Sequence, residues 1–276
     1  MSLPTAHATT AAPLAALLPT CQGKAWQVRP APYSIRNNAA TSQITDGRRT
    51  LIIAEQAGLV EVFAARPDEF PVTPDAVTDS TDPASVAWLA ARVLRWILPT
   101  LDAETTAGTA VEHGAQQVFR DKRAALTEVA FGLVDHGALP QFVELHDGPG
   151  LVWRTADGHA QWGMWSHGCG GNYSLTYDGP ESGLYGALPV LLPPLGSHTS
   201  TDAGSVFTRH LADRFPQLRP VSAREVEFGA YQDLQGWLRL GPDTDPAAPV
   251  TGSTRVCADV GSIGIDMALA TAPHLI

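Results

Sequence analysis

Lysine is nearly absent from this 276-residue chain: two of its 18 basic residues are Lys and sixteen are Arg. Cationic contacts must therefore be made by planar guanidinium forks rather than by ammonium point charges. That bias, with abundant Ala, Thr and Pro, also fits a GC-rich bacterial genome. Cysteine is scarce too, with Cys21, Cys169 and Cys257 at no paired spacing. An odd, scattered count excludes a disulfide framework and fits a reducing compartment.

Long apolar runs are missing, since the longest, such as residues 188–195 (LPVLLPPL), are short and broken by proline. A transmembrane helix needs about 20 apolar residues, so no membrane association is expected. No Lys or Arg precedes Lys24, so the basic start of a secretory signal is lacking, and a cytoplasmic location is the expectation. The net charge of −10, with no basic run to offset it, repels phosphate backbones and excludes nucleic acid as the expected partner.

At 44% hydrophobic content the chain can bury a large core. Residues 1–20 carry three prolines and no apolar period, which predicts a flexible tail whose deletion leaves the melting temperature unchanged. The remainder, 21–276, reads as a single α+β domain with mostly antiparallel sheets and three or four packed helices, with room for two lobes at 21–138 and 139–276.

The first strand signal, 25–30, contains Pro30 and so suits a sheet edge. Residues 49–53 and 59–64 read as strands joined by a turn at 55–58. Asp82 before Pro83 marks a helix start, and the expected helix runs to Pro99. A second apolar stripe covers 109–136, weakened by Gly114 and Gly132 into a pattern that fits two shorter helices, with Gly137 as a C-terminal cap. From 140 the period returns to two. A helix over 202–215, capped by Thr201 or Asp202, follows, and then strands at 226–228, 235–240 and 255–260. The glycines after Asp259 read as a turn between two strands.

The segment Trp153–Tyr185 holds three of the seven Trp, three of the five Tyr and Cys169. Glycine gives up side-chain contact, while Trp and Tyr bring a polar handle that needs a partner, so such density points to a site. Trp162, Trp165, Asn172, Tyr173 and Tyr177 are the candidate binding residues, a stacking surface for a sugar, a planar ligand or a peptide. Trp162 and Trp165 are three apart, so in one strand they point to opposite faces and one of them packs inward.

Cys169 sits in a glycine turn two residues after His167, and a thiolate with His167 or His159 as base could perform acyl transfer or hydrolysis. Ordinary packing of a small buried Cys explains the same residues. His136, His146, His159, His167 and Cys169 lie at irregular gaps that match no zinc pattern, and no metal or cofactor is expected. The nucleophile elbow, phosphate loop, zinc-protease helix and dinucleotide fingerprint are all missing. The leading expectation is therefore a binding or adaptor protein for a protein partner or small ligand. The alternative is a Cys169 enzyme, which predicts that Cys169 is alkylated far faster than Cys21 and Cys257.

Overall fold

The computed structural model describes residues 7–21, 23–36, 38–66, 70–145, 148–167, 171–194, 204–229 and 233–276. The architecture is α+β, with two antiparallel sheets of five and eight strands. The chain divides into two compact units, Met1–Leu101 and Asp102–Ile276, so the division falls well before the 138/139 boundary expected from sequence.

The first unit is a meander of β1 (Gln27–Pro30), β2 (Ala40–Thr45), β3 (Thr50–Gln56), β4 (Leu59–Ala64) and β5 (Ala76–Thr78), in that spatial order. Pro30 lies on the edge strand, as a residue without an N–H should. The β3–β4 turn places Ala57 and Gly58 both at positive φ, 52° and 87°, the geometry that matches the twist of a two-residue hairpin. Ile52, Ala54 and Phe63 form a core with Ala39 on one sheet face.

The amino-terminal segment is docked rather than loose, which corrects the expectation of a flexible tail for the described residues 7–20. Helix α1 (Ala11–Leu17) buries Ala11, Leu14 and Ala15, and Leu18 beyond it is buried as well. The Ala8 N–H donates to Ser42 Oγ at 3.0 Å. Glu55 accepts from Thr9 N–H at 2.9 Å and from the Thr10 hydroxyl. Burial works to raise the Glu55 pKa, but these Thr9 and Thr10 hydrogen bonds outweigh it and hold the carboxyl below its ordinary range. Pro13 and the small residues hid this helix, whose seven residues contain less than two full periods.

Helix α2 (Pro83–Arg92) begins as expected, with Asp82 Oδ1 accepting from Ser85 N–H at 2.8 Å. Asp82→Ala should lower stability by about 1 kcal/mol, because an N-terminal amide loses its acceptor and the positive helix end its charge. An unchanged denaturant midpoint would contradict that assignment. The helix does not stop at Pro99. A π-helical turn, Val93–Ile97, leads into α3 (Leu98–His113). The wide turn, in which the Leu98 N–H bonds the Val93 carbonyl, shifts the hydrogen-bond register just before Pro99 and lets the helical run continue through it.

In the second unit Gly114, at φ 79°, separates α3 from α4 (Ala115–Asp135). Gly137, at φ 95°, closes α4, with Ala138 N–H reaching back to the Leu133 carbonyl at 3.0 Å, as expected of a glycine cap. The strands are β6 (Gln141–Leu145), β7 (Gly148–Arg154), β8 (Gln161–Ser166), β9 (Tyr173–Pro180), β10 (Arg219–Ser222), β11 (Glu225–Phe228), β12 (Gln235–Leu240) and β13 (Arg255–Ile263). Their spatial order is β10-β11-β12-β13-β9-β8-β7-β6. A short helix, α5 (Leu188–Leu191), precedes α6 (Val206–Arg214), which is capped by Ser205 Oγ accepting from Thr208 N–H at 3.2 Å. Thr201 and Asp202, expected to cap it, lie outside the described residues. The expected turn after Asp259 is instead a bulge inside β13, between Val260 and Ile263, followed by α7 (Ile265–Thr271).

Alternation along these strands sorts the sheet into two faces. Leu151, Trp153, Trp162, Met164, Tyr173, Leu175, Tyr177, Val226, Leu238, Val256 and Val260 are all buried and share the face against which the helices pack. The Trp153 indole N–H donates to the Leu275 carbonyl at 2.7 Å, and Leu269 of α7 reaches Gly132 of α4.

Candidate functional site

The opposite face of the eight-stranded sheet carries the other half of each alternation. Val152, Gly163, Thr176, Asp259 and Trp237 lie in one cross-strand row, and Gly150, Trp165 and Ser174 lie in the next. Because β8, β9 and β13 are central strands, most of their backbone groups are already held in ladders, and side chains are what this face chiefly offers.

Trp165 is the centre of this face. A Cβ built on Gly150 would come within 2.6 Å of the Trp165 ring at Cε3, and one on Gly163 within 2.7 Å at Cζ2. Both directions point out of the sheet, so the indole lies flat over the two glycines. The glycines are needed for this close approach. The Trp165 N–H donates to Thr176 Oγ1 at 2.9 Å, which fixes the ring in its plane. The ring is thus seated on the sheet, and the side chain is half-buried.

Polar groups gather beside the ring. His167 Nε2 and Ser174 Oγ are 2.8 Å apart, and which of them donates follows the tautomer. Buried Lys122 of α4 donates to the His167 carbonyl at 3.0 Å and so holds that end of β8. Asp259 stands directly across β9–β13 from Thr176. It is half-buried and has no hydrogen-bond or ion-pair partner among the described residues; burial raises its pKa, and nearby His167 offsets part of that rise. The bulge that follows places Ser262 at φ 59°, a conformation that L residues seldom adopt outside functional or tightly packed sites. One row further, Cys257 faces Asp178, and burial followed by that carboxylate pushes its thiol pKa up. It should alkylate slowly.

The expected site residues part company here. Trp162, Tyr173 and Tyr177 are only 1%, 3% and 2% exposed. Trp162 stacks parallel to Trp153 at 6.5 Å and meets Tyr177 at 4.5 Å. These three are core and present no surface, which corrects their assignment as binding residues. Asn172 keeps a buried Oδ1 without a partner among the described residues.

His159 lies before β8 and His167 after it, so they are about 26 Å apart at roughly 3.3 Å per residue and cannot serve one nucleophile. His159 instead lines a separate cleft of about 520 Å³ with Asp157, Ser182, Ser253 and Arg255. Cys169 and His146 lie outside the described residues. Among the described residues no three His, Cys, Asp or Glu converge as metal ligands, and no helix is long and apolar enough to cross a membrane.

Sequence reasoning missed Ser174, Thr176 and Trp237, and took Asp259 only as the start of a turn. A signal was available, since Ser174, Thr176 and Asp178 alternate with Tyr173, Leu175 and Tyr177. Comparison with protein-family models, curated proteins and solved structures gives no match.

Proposed function

We propose that the chain is a cytoplasmic bacterial binding protein that holds a small ligand against the helix-distal face of its eight-stranded sheet, around Trp165. The observation that carries this reading is the indole seated over Gly150 and Gly163 while the side chain as a whole stays partly exposed. A ring fixed by packing and by its N–H bond offers large contact area at little entropic cost on binding. The carboxylate of Asp259, half-buried without a partner among the described residues, is a second argument, because such a group costs stability unless function retains it. The acidic chain, with no basic run, keeps nucleic acid outside this proposal.

A thermal-shift screen of small polar and stacking compounds tests it. A ligand present at 100 times its Kd stabilises by about 2.7 kcal/mol, a readily measured shift. Trp165→Ala should fold and lose at least tenfold in affinity for the compounds found. Equal binding by the parent and Trp165→Ala would place the site elsewhere.

A further inference from the structure

The reading of this face can be carried to a ligand class, because its geometry discriminates among ligands that stack on indoles. A quaternary ammonium calls for several aromatic faces around the cation. Among the described residues this face carries two indoles, Trp165 and Trp237, and the Arg239 guanidinium already sits 4.8 Å from the Trp237 ring centre, a cation where a cage would need a free ring. A nucleotide would bring phosphate to a face bearing Asp259 and Asp178, on a chain of net charge −10, and like charges repel it. A peptide adding as a strand needs an open edge, and β8 and β9 are central in the sheet. What fits one flat indole with a carboxylate and hydroxyls beside it is a ring with an apolar C–H face and a rim of hydroxyls.

Resting on the reading above, we infer that the ligand is a saccharide, its ring stacked on Trp165 and its hydroxyls bonded by Asp259 and by the exposed His167, which buried Ser174 positions. Adjacent strands are about 4.8 Å apart, so a sugar seated on the indole over β8 extends its hydroxyls across β9 toward Asp259 on β13. Asp259 accepts from a sugar hydroxyl, and His167, whose Nε2 is held by Ser174, offers its other ring nitrogen as donor or acceptor. The bond from Trp165 to Thr176 keeps the platform from turning as the sugar arrives.

The test is an NMR titration of the full chain with ¹⁵N-labelled tryptophan, the Trp165 indole signal being assigned by its loss in Trp165→Phe. The probes are cellotetraose, chitotriose and maltotriose, with tetramethylammonium and adenosine monophosphate as the competing chemistries. At least one saccharide should shift the Trp165 signal saturably, and Asp259→Asn should weaken it at least fivefold with a thermal transition no lower than the parent's. Ser174→Ala serves the same purpose should Asp259→Asn not fold. A saturable Trp165 shift with tetramethylammonium or the nucleotide but with no saccharide overturns the saccharide class and leaves the face as a binding site. No shift of Trp165 with any probe overturns both. Saccharide binding that Asp259→Asn and Ser174→Ala both leave intact overturns the assigned contacts.

Discussion

Trp162→Ala should destabilise the eight-stranded unit by about 3–5 kcal/mol, the cost of a large aromatic removed from a core that cannot collapse around the void. The indole is packed between Trp153 and Tyr177 and is almost wholly excluded from solvent. Its N–H finds no partner among the described residues, so packing is what holds it. Trp165→Ala, three residues away on the opposite face, should cost much less, since that ring is half-buried and rests on glycines that can be resolvated. Urea titrations of the two variants compare them directly. Equal losses would mean that the two faces of the sheet have been assigned wrongly.

Leu14→Ala should cost about 2–5 kcal/mol, as for other fully buried leucines truncated to alanine. Leu14 is completely buried on α1, and the residues just before it anchor the segment through Ser42 and Glu55. A linker, which the composition of residues 1–20 predicts, would show no change in denaturant midpoint. That result would undo the account of the first unit, because Glu55 would then lack the hydrogen bonds that depress its pKa. With the folded pKa lowered, Glu55 contributes stability above the unfolded carboxylate range, and that contribution falls away as the pH drops through it.

The contrast between these two tryptophans and this leucine shows what was legible in the sequence. The return of the two-residue period at 140 matches the run of strands that begins with β6, alternation placed β11, β12 and β13 close to where they lie, and the three-residue spacing of Trp162 and Trp165 correctly put them on opposite faces. Which face is core depends on cross-strand neighbours: Trp162 pairs with both Trp153 and Tyr177, and no local pattern states that register. Asp82 and Gly137 were readable because capping is a local hydrogen-bond requirement. The passage through Pro99 was not, because a π-helical turn upstream overrides the usual effect of proline. Helix α1 and strand β2 (Ala40–Thr45) escaped notice because α1 is short and interrupted by Pro13, while β2 is mostly polar and owes its place to pairing with β1 and β3. Asp259 was set aside as the start of a turn, although Val256, Ala258 and Val260 alternate with Cys257 and Asp259 along one strand.

The central claim is that ligand meets the chain at the Trp165 indole. The most direct measurement is the set of indole N–H signals recorded with and without a bound compound. The account predicts a saturable shift at Trp165 while the buried indoles of Trp153 and Trp162 stay in place. A bound compound that leaves the Trp165 signal unmoved, or that shifts Trp153 or Trp162 instead, would contradict it.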